Sequence, residues 1–330
     1  MNSNAAGVFA ELAPFRIEPE FVARVWGSND LNPWYPFTSS NGPVGEVWLT
    51  GDECKVASGP HAGKPLAELF RDAPLAMLGP GVSAAGSPLL IKMIFARAKL
   101  SVQVHPDDAL AQKYGYPRGK TECWYALAAE EGAKVALGLR QGTTLEQVRA
   151  AIHDGTMESR LNIVSIAAGD MVFVDAGTVH AIWPGSVLLE TQQNCDLTYR
   201  LYDYGRPREL QIEKSLEAIR LTTRAGKVPA RSGADRTVLL EDDYFCIERI
   251  PVNVSRPSTS LPGRAEPLRG LSYLFAAAGS ARLTSPGFEA VELAERGIVA
   301  VPAMSPIFAV QDLGGLDLIR ISPRWPGGAS

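Results

Sequence analysis

A chain of 330 residues is long enough to bury a sizeable core and to divide into two domains. Hydrophobic residues make up 46% and charged residues 21%, the balance of an ordinary globular protein and not of a disordered or fibrous one. With 32 Lys and Arg against 36 Asp and Glu, the net charge of −4 lacks the basic excess of a nucleic-acid binder, and no run approaches the ~20 apolar residues of a membrane span.

Strand signals dominate the first two thirds of the chain. Apolar and alternating stretches at 45–50, 89–96, 100–105, 123–128, 134–139, 171–174, 187–193 and 198–204 are punctuated by Gly, Pro, Asn and Asp. Many short strands separated by turn residues predict a sandwich or barrel. Helical periodicity is confined to three places. Residues 65–71 carry Pro65 in the position of a first turn. Residues 143–153 open with Thr143 and Glu146 at capping-box spacing and set Leu145, Val148 and Ile152 on one stripe. Residues 213–221 form the third.

Gly, Pro, Arg and Ser accumulate over 222–235, and strand signals resume at 244–250, 272–277, 297–301 and 317–321. The expected division is therefore a domain over 1–230 with the helical segments and a smaller β domain over 231–330. All four histidines lie at or before residue 180, so the second domain cannot repeat a histidine metal site. Its expected role is to support the first domain or an oligomer interface; the sequence does not set the oligomeric state. The four cysteines show no C-x-x-C spacing and read as buried thiols, and the opening Met1-Asn-Ser-Asn-Ala-Ala-Gly7 lacks a basic stretch followed by an apolar run. A reducing cytoplasm is the expected compartment.

Three stretches carry chemistry. In Leu100-Ser-Val-Gln-Val-His105, alternation sends Ser101, Gln103 and His105 to one face and the aliphatic residues to the other. In Gly119-Lys-Thr-Glu-Cys-Trp-Tyr125, Lys120, Glu122 and Trp124 share a face. The strand 171–174 runs to a turn at Ala176-Gly177, after which His180 opens the next strand. Polar groups inside apolar strands are costly to bury without partners. Two histidines, a carboxylate and an amide oxygen form a ligand set for Zn²⁺ or a similar first-row metal. His61 in a Gly-Pro-rich loop and His153 near a helix C-terminus read as surface residues.

The blocks Leu-Ser-Val-Gln-Val-His-Pro-Asp-Asp, Gly-Lys-Thr-Glu-Cys-Trp-Tyr, Asp-Ala-Gly-Thr-Val-His-Ala-Ile and Leu-Thr-Tyr-Arg-Leu-Tyr-Asp-Tyr occur in that order over residues 88 to about 220. Together with Trp26-Gly27 they resemble the signature of type I mannose-6-phosphate isomerases, and most of all the short bacterial branch. The resemblance implies a mainly β fold: a cupin jelly-roll barrel with a few helices, plus a second smaller, cupin-like β domain. It implies one zinc per chain on Gln103, His105, Glu122 and His180, a catalytic role for Arg200, and a sugar phosphate as substrate. About 57 residues separate Glu122 from His180, so the helical insertion of longer family members is missing, and with it any phosphate contacts it supplies.

An aldose–ketose isomerisation moves a proton from C2 to C1 through an enediolate. It needs a proton shuttle, an electrophile and a phosphate anchor. Arg200 is always charged and offers a fork of donors; a structural salt bridge to Glu190 or Asp196 is its plain alternative. Lys120 is assigned to proton transfer or to holding an anionic oxygen. Lys92, polar inside the apolar 89–96 strand, is paired with Ser101 as a phosphate site, its alternative being an edge residue snorkelling to water. Trp124 and Tyr125 read as core. Two other functions fit the same residues: a non-catalytic sugar-phosphate-binding cupin, and a metal-dependent cupin oxygenase in which Gln103 is a bystander.

Overall fold

The computed structural model describes residues 12–82, 86–252 and 270–325; the opening Met1–Gly7 stretch lies outside them. The chain forms two compact units that interleave along the sequence: 21–48 with 90–228, and 1–20 with 49–89 and 229–330. The expected division at 230/231 is contiguous, whereas the second unit also takes in two N-terminal segments. The reason is pairing at a distance: Phe15–Arg16 hydrogen-bonds to Ile298–Val301, and the 77–78 helix end receives Ala303 N–H at Met77 O.

The unit holding 21–48 and 90–228 is a two-sheet β structure. One sheet runs, in spatial order, Gly226–Val228, Met171–Val174, Glu122–Ala129, Ser186–Gln193, Leu89–Ala96, Val44–Trp48, Glu20–Ser28. The other runs Tyr199–Tyr202, Val102–Val104, His180–Ile182, Lys134–Leu139, Leu161–Ser165. Ile94, Trp124, Val172 and Leu188 of the first sheet meet Val135, Leu137 and Ile182 of the second in one buried cluster. The period-two pleat then fixes the other face of the smaller sheet. Val102, Val104, Ala136, Ala181, Tyr199 and Leu201 point outward and are covered by Val148, Ala151 and Ile152 of the Leu145–His153 helix and by Leu216, Ala218 and Ile219. This is the mainly β cupin architecture with few helices that the family resemblance implies, and it meets the sandwich or barrel that the strand spacing predicts.

Several local expectations shift. The long helix is capped by Thr144, with Gln147 returning the bond, one residue beyond the predicted Thr143/Glu146 pair. Both pairs satisfy the capping rule; the observed register turns Val148, Ala151 and Ile152 inward and leaves Leu145 39% exposed at the open first turn. Pro65 is the N-cap of Leu66–Asp72, not a first-turn residue. Two short helices, Pro74–Leu78 and Asp108–Lys113, carry no periodic pattern in the sequence.

The other unit is built on an eight-stranded sheet in which Ser272–Ser285 and Ala309–Pro323 form a long central pair. Leu274, Leu283, Val299, Val301 and Leu318 fill its core. Its one histidine, His61, is half-buried, and beyond residue 180 the chain has none. No disulfide links the four cysteines. Among the described residues no helix is long and apolar enough to cross a membrane.

Candidate metal centre and cavity

The register of the smaller sheet assembles half of the site. His180 and Arg200 are both paired directly with Gln103, one from each neighbouring strand. Directly opposed residues share a face, so Arg200, Gln103 and His180 stand in a row on the inner side. The larger sheet supplies the other half. Its inward positions are Glu122 and Trp124, then Glu190 opposite Trp124, then Lys92. Two glycines make the close approaches. Gly177 turns with φ 88° and donates its N–H to His105 O. At Gly119 a Cβ would lie 2.4 Å from Asp107 C, so only glycine fits.

His105, Glu122 and His180 are buried, and their ligand atoms all lie within 4.8 Å of one another. Each imidazole is oriented from behind: His105 Nδ1 donates to Leu197 O and His180 Nδ1 donates to Thr178 O, both at 2.9 Å. Thr178 is itself fixed by its hydroxyl bond to Asp175 Oδ1 at 2.8 Å. These bonds leave both Nε2 atoms as bare lone pairs. The lone pairs face the two oxygens of Glu122, His105 at 3.4 Å and His180 at 3.3 Å.

No proton resolves this confrontation. Burial, reinforced by the Lys120 charge, pushes His105 down to about 3, and burial also pushes His180 down. Burial alone would raise Glu122, but Lys120 and the two imidazoles outweigh it and hold the carboxylate well below its usual range. Three acceptors therefore converge, and His105 Nε2 and Glu122 Oε2 have no hydrogen-bond partner. Ligands about 2.0–2.1 Å from a tetrahedral zinc ion sit roughly 3.3 Å apart. The observed 3.3 and 3.4 Å separations, one to each Glu122 oxygen, are of that order, and the chemistry of the donor set fits a cation of this class.

Gln103 lies against the same group, its Nε2 3.2 Å from His180 Nε2 and its Oε1 accepting from Ser101 Oγ at 3.2 Å. A half-turn of the amide exchanges these roles and presents Oε1 to the cation while Ser101 Oγ accepts from Nε2. Ser101 is thus first a partner of Gln103.

Beside the cluster lies a polar cavity of about 410 Å³, within the range that holds small molecules. Gln103, Glu122, Lys120, Lys92, Ser101 and Arg200 all line it, so it gathers six of the eight sequence-selected site residues, with the two histidines meeting Glu122. It also gathers Arg24, Glu46, Glu190, Asp196 and Arg208, to which the sequence reading gives no site role. Glu46 and Glu190 carry the same signal that picks out Lys92: a charge at an inward position of an apolar strand.

The structure decides between several alternatives. Lys92 is not an edge residue reaching water. It is 3% exposed on an interior strand, with Glu46 at 3.5 Å and Glu190 at 3.6 Å. Trp124 is both core and cavity wall. Arg200 forms no ion pair with Glu190 or Asp196. Its Nη1 donates to Glu209 O at 2.9 Å, and its Nε is buried without a partner. Burial and the neighbouring Arg208 push its pKa down, the signature of an uncompensated cation. Lys120, by contrast, is raised: burial lowers it, but Glu122 at 3.2 Å and Glu190 at 3.7 Å prevail. Burial first, then the Glu122 carboxylate, pushes Glu190 up to about 8 against the pull of Lys92 and Lys120. His153 is exposed beside Asp154, as expected.

Glu46 yields a pH prediction. Burial raises it, but Lys92, Arg24 at 2.8 Å and the Trp48 indole N–H at 2.8 Å bring it down to about 2 from 4.5. A carboxylate depressed by folding contributes stability above its unfolded pKa and loses it as pH falls from about 4.5 to about 2. The contribution is at most about 3 kcal/mol. Urea unfolding should therefore show Glu46→Gln less stable than the parent at about pH 6, with the gap narrowing below about pH 4.5 and mostly closed by about pH 2. A gap independent of pH would assign the loss to packing.

The model of the type I phosphomannose isomerase catalytic domain matches residues 15–144. The chain is 34% identical to a mannose-6-phosphate isomerase of Streptococcus mutans over 255 residues, 73% of this chain and 80% of that protein. It is 34% identical to a mannose-6-phosphate isomerase of Bacillus subtilis over 253 residues, 71% of this chain and 78% of that one. The crystal structure of the mannose 6-phosphate isomerase from Bacillus subtilis superposes with a TM-score of 0.81 at 28% identity, covering 94% of this chain and 99% of that one.

Proposed function

This chain belongs to the type I phosphomannose isomerase family, and from that premise we propose that it interconverts mannose 6-phosphate and fructose 6-phosphate using a zinc ion held by Gln103, His105, Glu122 and His180. The supporting observation is the meeting of two imidazole lone pairs and an ionised carboxylate inside the barrel, which a bound cation would relieve, on the wall of a cavity of substrate size. The unit of 21–48 and 90–228 is accordingly the catalytic one, and among the described residues the other brings together no comparable ligand group.

The reaction transfers the C2 proton to C1, and negative charge collects on O1 and O2 as the enediolate forms. A bound zinc ion supplies Lewis-acid polarisation of substrate oxygens and fixes their place. The protein's residues do the rest. Arg200, charged and lacking a carboxylate partner, stabilises the developing oxyanion. Glu190 has a buried Oε1 without a hydrogen bond, lines the cavity, and is pushed up to about 8, near a working pH; it takes the proton from C2 and returns it to C1. Lys120, fixed between Glu122 and Glu190, holds the proton on the oxygen edge. Lys92 and Ser101 face the phosphate, with Lys92 drawing only part of its charge to the ligand because two carboxylates share it.

Protein stripped with a chelator should stop forming fructose 6-phosphate and recover on adding Zn²⁺. Full turnover by metal-free protein overturns the reading. Substrate binding without turnover in the zinc-loaded protein makes it a binding cupin, and oxygen uptake with Fe(II) makes it an oxygenase.

A further inference from the structure

We infer that Asp108 and Gln193 are positioning residues that fix the root of Lys120, and with it the place of the ammonium in the isomerisation proposed above; the inference rests on that reading. Lys120 has a four-carbon stem, and burying it in one conformation gives up much of its side-chain entropy. Its Nζ nevertheless sits 3.2 Å from Glu122 and 3.7 Å from Glu190 at 4% exposure. A long side chain can be that well placed only if its Cα is fixed.

The backbone around Lys120 is held at three successive N–H groups. Gly119 N–H donates to Asp108 Oδ1 at 2.7 Å, Lys120 N–H to Pro106 O at 3.0 Å, and Thr121 N–H to Gln193 Oε1 at 2.9 Å. The two side chains in this set are joined: Gln193 Nε2 donates to Asp108 Oδ1 at 3.0 Å. Gln193 N–H also returns a bond to Thr121 O at 3.1 Å. Gln193 is 5% exposed and its bond from Thr121 N–H is buried, while the two bonds to Asp108 are part-buried, so the loss of the Thr121 bond is the most costly. Asp107, its neighbour, caps the 108–113 helix through Leu110 N–H and pairs with Arg220, so the two aspartates divide the work. Gln193 ends the strand that carries Glu190. The clamp therefore ties Lys120 and one of its carboxylate partners to the same strand.

The polarity of the clamp makes it testable by a change of charge at 193. Gln193→Glu sets a second carboxylate against Asp108. It should lower kcat about 10- to 100-fold with KM little changed and zinc still at one per chain, as expected when a group acting in the transition state is displaced by a fraction of an ångström. If Gln193→Glu does not fold, Gln193→Met, which removes both side-chain bonds without a charge, is read the same way. A purely structural clamp would lower the melting temperature and leave kcat alone, and that result overturns the inference. Should the parent itself not isomerise mannose 6-phosphate, the function fails and not the clamp alone.

Discussion

Glu122→Gln is expected to leave the protein folded, without stoichiometric zinc, and with kcat/KM reduced by at least about 1,000-fold. The loss follows from the several kcal/mol of charge stabilisation that a bound metal supplies, at 1.36 kcal/mol per factor of ten. Metal affinity should fall by more than the 10–100-fold typical of removing an outer hydrogen-bond partner, since this removes the one anionic ligand. Two effects on the fold oppose each other. Lys120 loses its nearer carboxylate and keeps Glu190 at 3.7 Å, and breaking a buried pair can cost about 3–5 kcal/mol. Against that, an amide at 122 can donate a proton to the bare Nε2 of His105 or His180, at 3.4 and 3.3 Å from the present oxygens. That new hydrogen bond relieves the clash of acceptors, so the metal-free variant should melt close to, or above, the metal-free parent. Elemental analysis after gel filtration and a thermal melt with and without chelator give both readouts. If the variant keeps one zinc and full turnover, Glu122 is only the counter-ion of Lys120 and the metal centre lies elsewhere.

How much of this is legible in the sequence depends on whether the deciding interaction is local. The strands 89–96, 134–139 and 171–174 are observed at their predicted bounds because their apolar runs are long and their ends are marked by Gly, Pro or Asp. Glu20–Ser28 escapes a sequence reading: its residues are mostly half-buried or exposed and it sits at a sheet edge, so no clean period marks it. The interleaved units are illegible for a related reason. Phe15–Arg16 is a two-residue strand whose partner lies near residue 300, and nothing in its own neighbourhood names that partner.

The site divides in the same way. Gln103, His105, Glu122 and His180 are polar residues inside apolar strands, and alternation alone faces them inward. Glu190 and Glu46 are equally polar and equally inward. A lone carboxylate on a strand has an obvious plain explanation in a nearby arginine, and that explanation makes Glu190 a partner for Arg200. The register overrules it: Arg200 stands on the smaller sheet opposite Gln103, while Glu190 stands on the larger sheet opposite Trp124, between two lysines. Which cation meets which carboxylate is a property of sheet pairing, which the sequence encodes only through contacts far apart along the chain.

That rearrangement of partners leaves Arg200 as a cavity cation without a carboxylate partner, and Arg200→Ala should lower kcat about 100- to 1,000-fold. The figure is that of removing one preorganised donor to a developing oxyanion, about 2.7–4 kcal/mol. Zinc content should hold, because Arg200 touches none of the four candidate ligands' coordinating atoms; its bonds run to Glu209 O and, from its backbone, to Gln211 Oε1. Stability should hold or rise, since the substitution removes a partly buried cation whose Nε has no partner and whose pKa is already pushed down. A structural arginine would behave in the opposite way, costing stability and sparing turnover. Arg200→Lys keeps the charge but not the planar fork, and should recover only part of the lost rate. The split between constants separates two uses of the guanidinium. An arginine that gripped the phosphate equally in ground and transition states would raise KM and leave kcat unchanged, whereas one that meets charge born in the reaction lowers kcat itself. Steady-state assays on the two variants, zinc-loaded and compared with the parent, decide the matter, and full kcat in Arg200→Ala removes Arg200 from the chemistry.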